Sequence, residues 1–447
     1  MNRTVNMTIG NPTKLILHLA VPLMLTNLGQ QLYGIVDAII VGKGIGVNAF
    51  ASLGACDWLV WLVLWTITGL TQGFSSLIAQ RFGAKDREGV RHAVGMCVQL
   101  CLLFGIAVTA IGLFAAGPFL KLLGTPAEIF DNAVLYLSMI WGGTLITTGY
   151  NMAAALLRAV GDGRTPLIAM FTAGLSNILL DLLFVMVFHM GIPGAALATL
   201  LAQLLAFLYC LRVMIRVDVF RLHRDHLRWN GQTARTLLKL GFPMALSAII
   251  VDIGGIVAQS IINTYGYVFV AGCTAANKLH GTLDTSAVAI GFATSAYIGQ
   301  NCGAGRIDRI HTGIRKATVI SLAIGCSITV LMFIFGRPVV GLFLSADAEN
   351  AAGALETAYQ YVLVMSAMLP GAYLMNLYRY SVQALGNPHP SLISGFFELG
   401  ARVFVALVFP IFMGQRGLFF MDGAAWWAAG IYLIICFFIE LRKIQSA

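Results

Sequence analysis

The sequence predicts an all-α integral membrane protein, with 12 transmembrane helices forming two six-helix lobes related by a pseudo-two-fold axis along the membrane normal. Three observations carry this. Hydrophobic residues make up 58% of the 447 and charged residues only 11%, against about 25% charged in an ordinary globular domain. The basic residues gather in alternate polar gaps between the apolar runs. The chain also repeats itself, weakly, after about half its length.

The 28 Lys+Arg and 19 Asp+Glu are too few to coat a water-facing surface of this size, and the mean hydropathy of +0.83 agrees. These numbers exclude a soluble enzyme, a nucleic-acid-binding domain and a secreted disulfide scaffold. A net charge of +9 would suggest a nucleic-acid partner in a soluble protein. In a membrane protein it is the expected excess of cytoplasmic Lys and Arg. The eight cysteines are scattered, form no C-x-x-C, and read as small buried hydrophobes. No P-loop, H-E-x-x-H or nucleophile elbow occurs, so neither ATP drive, an enzymatic activity nor a resident cofactor is expected.

A bilayer core takes about 20 apolar residues per helix. The first run, 15–41, is too long for a signal peptide and reads as a retained span. Further runs follow at 50–78, 94–116, 132–157, 166–188, 192–214, 237–262, 268–298, 317–336, 357–381, 391–412 and 420–441. Polar punctuation separates them, as at Arg81–Arg87, Gly161–Pro166, Gly386–Pro390 and the basic stretch Arg212–Lys239. The ten-residue alternation of a barrel strand is absent. With the N-terminus inside, 22 of the 28 basic residues fall in cytoplasmic segments and four in outside loops, while Lys278 and Arg402 lie in spans. That asymmetry fixes twelve spans with both termini cytoplasmic.

Leu19-Ala-Val-Pro22 recurs as Leu240-Gly-Phe-Pro243, and Gln80-Arg-Phe-Gly-Ala84 as Gln300-Asn-Cys-Gly-Ala304. Pro118 matches Pro338, and Ala159-Val-Gly161 matches Ala384-Leu-Gly386, all at offsets of 220–225. The predicted organisation is an N-lobe over 1–215, a cytoplasmic linker over 216–236 and a C-lobe over 237–447. An even number of spans per copy gives both copies the same orientation, with a substrate path between them.

Ionisable groups inside spans are costly and mark pathways. Gln30, Tyr33 and Asp37 share one face of the first span, and Asn177 and Asp181 sit at i, i+4 in the fifth, with the Thr199 hydroxyl in the sixth. Two carboxylates, an amide and a hydroxyl are hard oxygen donors suited to a proton or a small cation such as Na⁺. The repeat supplies a control: Asp37 maps to Ala258, Asn177 to Arg402 and Asp181 to Ala406. Groups present in one copy alone point to function rather than to scaffold. In the second copy Glu398 and Arg402, at i, i+4, are read as a structural pair, and His280 with Asp284 likewise. Lys278 is expected to meet Asp252. Tyr136 and Asn151 in the fourth span, with Gln30 and Tyr33, are read as ligand-facing polar groups, and Met170 as an adaptable apolar wall.

These residues resemble the multidrug and toxic compound extrusion (MATE) family, over nearly the whole chain. The segments that carry the resemblance are Leu19–Pro22, Tyr33–Gly42, Gln80–Ala84, Arg158–Pro166, Gln300–Ala304 and Gln383–Asn387. It implies a V-shaped pair of lobes in a bacterial plasma membrane, exporting small organic, often cationic, compounds in exchange for H⁺ or Na⁺ by alternating access, as a monomer. It assigns Asp37, Asn177, Asp181 and Thr199 to the ion site and Gln30, Tyr33, Tyr136, Asn151 and Met170 to the N-lobe cavity, as in the DNA-damage-inducible branch. A related branch uses acids in the seventh and tenth spans. Asp252 lies near the first, but the tenth span carries no acid. The rival readings are a lipid-linked-precursor flippase of the same superfamily, whose cavity is strongly cationic, and a non-transporting membrane receptor.

Overall fold

The computed structural model describes residues 4–343 and 351–446. Its α-helices run in chain order as α1 Pro12–Gly44, α2 Val47–Gly83, α3 Arg87–Leu122, α4 Ala127–Gly142, α5 Thr144–Ala159, α6 Arg164–Asp181 and α7 Ile192–Arg216. They continue as α8 Gly231–Ile262, α9 Tyr267–Gly303, α10 Ile307–Gly341, α11 Ala351–Ala384, α12 His389–Met413 and α13 Met421–Ser446. No strand occurs among the described residues.

Nine stretches among the described residues are long and apolar enough to cross a bilayer, ten when α4 and α5, bent by 46°, are taken as one span. One of these stretches, His389–Ser446, contains both α12 and α13, joined by a 3-10 turn over Gly414–Phe420 and packed on one another. α9 is the remaining helix, and Lys278, His280 and Asp284 dilute its apolarity. Twelve spans therefore account for the thirteen helices.

Asparagine and aspartate start several helices by accepting a bond from a first-turn backbone N–H, which has no partner within the helix. Asn11 takes the N–H of Thr13, Asp86 that of Gly89, Asp162 that of Thr165 and Asn230 that of Thr233. The duplication is written into the backbone as well. Left-handed residues Gly46, Lys85, Gly161 and Gly191 in the first copy are answered by Gly266, Gly305, Gly386 and Gly414 in the second.

Two compact units result. The first comprises Met1–Asn6 and Val21–Ala245, the second Met7–Ala20 and Leu246–Ala447. The divisions fall inside α1 beside Pro22 and inside α8 beside Pro243, the two prolines paired by the repeat. In the first unit α5 packs against α2, α3 and α7, and its buried alanines admit close neighbours. There α2 lies backbone to backbone on the start of α8, because a Cβ on Gly73 would come 2.4 Å from Gly241 Cα. In the second unit α11 is central, packed by α9, α10 and α13.

Candidate functional site

α1 and α6 lie side by side in the first unit. The Phe171 ring covers Gly29, Tyr33 sits against Gly174, and Val185 and Met186 meet Gly44 near the far end of α1. This stepwise pairing brings Asp37 level with Asp181, and their carboxyl groups lie within hydrogen-bonding reach of each other. Asn177 and Asp181, at i, i+4, are both fully buried on the same face of α6, while Asp37 is half-buried. Asn177 Nδ2 donates to Thr199 Oγ1 at 3.5 Å, so α7 joins the site. The four residues assigned to the ion site are thus gathered in one place.

Their oxygens are left open. Asp37 Oδ1, Asn177 Oδ1 and both carboxylate oxygens of Asp181 are buried and receive no donor among the described residues. Native interiors rarely leave buried polar atoms unpaired, and two facing carboxylates need a positive charge or a proton between them. An all-oxygen donor set fits H⁺ or a hard cation such as Na⁺. Directly after Asp181 the helix widens into a π-turn over Leu182–Val187, a feature that often marks functional sites. Beyond the acids, Ile40, Val41, Leu53, Val185, Ile192 and Ala195 form a buried apolar cluster that Val36, Ile178 and Tyr136 join.

The cavity residues are distributed around this centre. Tyr33 is one turn from Asp37, and Tyr136 of α4 lies within electrostatic range of Tyr33, Asp37 and Asp57. Gln30 lies two turns from Asp37 on α1, half-buried. Asn151 belongs to another network: its amide donates to Thr147 O at 2.9 Å, and Thr68 Oγ1 donates to its Oδ1 at 3.4 Å. Met170 is buried in the main apolar core of the unit. Asp57 on α2 is a residue the sequence reading passed over. It is exposed and followed on its helix by Trp58, Trp61 and Trp65, and the signal available was a carboxylate in an otherwise uncharged apolar run.

The second unit treats its charges differently, and here none of the three expected pairings, Glu398 with Arg402, His280 with Asp284 and Lys278 with Asp252, forms an ion pair among the described residues. Glu398 takes Arg379 rather than Arg402, and Arg402 Nε pairs with Asp422 Oδ1 at 2.9 Å. Tyr361 OH donates to the other Asp422 oxygen at 3.0 Å. Arg379, counted from sequence among the cytoplasmic charges, is buried in α11. Asp252 faces Arg402 and Glu398, and no ion pair joins it to Lys278 among the described residues. His280 stacks on Trp426 at 4.9 Å, and Asp284 accepts from Asn376 at 3.4 Å. Where the first unit has Asn177, the second has an arginine bound to a carboxylate, so the corresponding place is closed.

One cluster among the described residues has metal-ligand chemistry, Glu88 and His92 on α3 with His226 of the connecting segment. His226 Nδ1 accepts from His223 N at 2.9 Å, which leaves the proton on Nε2, 2.8 Å from Glu88 Oε2. A metal at Nε2 would need the opposite tautomer and break the first bond. The cluster is a hydrogen-bonded clasp between the segment and α3.

Fold and site together define a polytopic membrane protein built from two copies of a six-span unit, of which the first holds an open acidic site. The chain belongs to the MatE family: the family model matches residues 22–183 and again 243–408, one match per copy. It is 29% identical over 413 residues to "Probable multidrug resistance protein YpnP" of Bacillus subtilis, covering 92% of this chain and 91% of that protein. It is 25% identical over 347 residues to "DNA damage-inducible protein F" of Escherichia coli, covering 74% and 73%. Two solved structures share the fold at a TM-score of 0.91 and 24% identity. They are a MATE protein in complex with MaL6, covering 100% of this chain and 99% of that one, and a MOP superfamily transporter from Pyrococcus furiosus, covering 99% and 98%. The second is described as having a binding pocket of reverse polarity that suggests a different function. The family consists of transporters rather than enzymes.

Proposed function

We propose that the chain is a secondary active multidrug efflux transporter, exporting organic, often cationic, compounds in exchange for H⁺ or Na⁺ by alternating access. One observation carries the reading: two facing carboxyls from α1 and α6, with buried open oxygens, in one copy of a duplicated fold and absent from the other. Two relatives named as multidrug resistance and export proteins, from Bacillus subtilis and Staphylococcus saprophyticus, support the substrate class.

In this reading Asp37 and Asp181 hold the incoming cation, with Asn177 Oδ1 and the Thr199 hydroxyl completing the oxygen set. The charge state of the pair is communicated along α1, which carries Asp37, Tyr33 and Gln30 on one face. Tyr33, Tyr136 and Asp57 offer aromatic faces and negative charge to an organic cation nearby. Ion and drug exchange only if each prefers a different state of the protein, since a ligand with equal affinity for both shifts nothing. The fold alone does not fix this activity, and the acidic polarity of the site supports it. A flippase for lipid-linked precursors would call for cations where this unit presents acids.

The test is drug susceptibility of cells expressing the wild type, Asp37→Asn or Asp181→Asn at matched membrane levels. The wild type is expected to raise resistance to organic cations and both variants to lose it. Full resistance with Asp37→Asn would overturn the site assignment.

A further inference from the structure

A cavity of about 420 Å³ lies in the first unit where α2 turns into α3 and α7 ends, well away from the acidic site. Its lining includes three cations, Lys85, Arg87 and Arg216, together with Thr4 and Asn6 of the N-terminal segment. The single acidic group in the lining, Asp218, is engaged by Arg221 at 3.2 Å. None of the three cations has a carboxylate partner among the described residues. Phe82 and Val217 add an apolar flank.

The walls are built rather than incidental. Val5 N–H donates to Val160 O at 2.9 Å, pinning the N-terminal segment, and Arg91 Nη2 donates to Asp218 O at 3.1 Å, fixing the far wall. Lys85 itself sits at φ +60, a left-handed conformation that costs any residue with a Cβ. The second copy fills the same turn with Gly305 at φ +67 and has Ile307 where the first has Arg87. A strained residue kept in place is a pointer to function.

We propose that this cavity binds the phosphate of an anionic phospholipid headgroup, the three cations neutralising it and the apolar flank meeting the glycerol end. Basic pockets at the cytoplasmic end of helices suit such headgroups, and the volume suits one. The proposal is independent of the transport reading.

The test uses the full-length protein, delipidated in detergent, with phosphatidylglycerol or phosphatidylcholine added and binding read by native mass spectrometry. Lys85→Gly copies the residue of the second repeat and keeps the turn, so it is combined with Arg216→Gln, while Arg164→Gln serves as control. Each cation near the headgroup is worth about fivefold in affinity, so the double variant should bind phosphatidylglycerol about thirty-fold more weakly. The control should bind as the wild type does, and phosphatidylcholine should bind poorly to all. Glycerol 3-phosphate and inorganic phosphate are run as competitors. Failure to displace supports the lipid, and displacement supports a phosphate site occupied by a soluble anion. Equal retention of phosphatidylglycerol by wild type and double variant, or equal binding of the two lipids, overturns the proposal.

Discussion

Replacing Asp37 by asparagine removes one of two facing like charges and keeps the shape of the side chain. At a separation of about 4 Å and an effective dielectric near 20, the ionised pair repels by about 4 kcal/mol. The asparagine amide also gives Asp181, both of whose oxygens lack a donor among the described residues, a hydrogen to accept. In the absence of a bound cation Asp37→Asn should therefore be more stable than the wild type. A cation that binds the folded protein adds RT ln(1 + [L]/Kd), about 2.7 kcal/mol at a hundredfold excess over Kd, and the variant should lose this gain. The assay is thermal unfolding in detergent, with Na⁺ titrated at fixed alkaline pH and pH lowered in the absence of Na⁺. The wild-type midpoint should rise along one of the two titrations, and the variant should start higher and stay flat. A variant that responds like the wild type, or a wild type flat to both, would refute the reasoning.

Three further predictions concern the scaffold. Gly73→Ala places a methyl 2.4 Å from Gly241 Cα and 2.6 Å from Leu240 O, backbone that cannot rotate away. It should cost about 1–3 kcal/mol in thermal unfolding, whereas Gly117→Ala, facing open space, should stay within about 0.5 kcal/mol. Arg402→Met strands Asp422 and should destabilise by about 3–5 kcal/mol, with most of the loss recovered in Arg402→Met/Asp422→Leu. Gly95→Ala puts a methyl 2.1 Å from the His226 carbonyl oxygen and should lift the connecting segment off α3. Limited proteolysis should then cut within 217–230 faster than in the wild type, and unchanged cleavage would show that the segment is held elsewhere.

Much of the fold was legible because a bilayer imposes length and apolarity on every span. The repeat was legible because Pro22 and Pro243 sit at equivalent points inside α1 and α8, and Gly161 and Gly386 at equivalent turns. The break of the fourth span into α4 and α5 was not. It falls at Gly143, which packs against the Leu200 side chain, a contact invisible along the chain. The acidic site could be read because helical spacing puts Asn177 and Asp181 on one face and the second copy lacks both. The same spacing misled at Glu398 and Arg402. An i, i+4 relation states which groups are neighbours on one helix, but Arg379 of α11 and Asp422 of α13 compete for them from outside it. Those partners come from tertiary packing, and no period in the sequence encodes it.

The two copies thus use buried charge in opposite ways. The second draws Glu398, Arg402 and Asp422 into ion pairs that hold α11, α12 and α13 together and leaves one oxygen of a single acid, Asp252, open, while the first leaves oxygens of the facing Asp37 and Asp181 open. A duplicated scaffold in which one copy keeps an unsatisfied acidic pair that the other lacks is suited to binding and releasing a cation.

The measurement that tests the central claim most directly is flux through purified protein in liposomes loaded with a fluorescent organic cation. A pH gradient and a Na⁺ gradient are imposed separately, with Asp37→Asn alongside. The account predicts that one of the gradients drives transport in the wild type and neither does in the variant. Gradient-driven flux that survives Asp37→Asn, or no flux under either gradient, would contradict it.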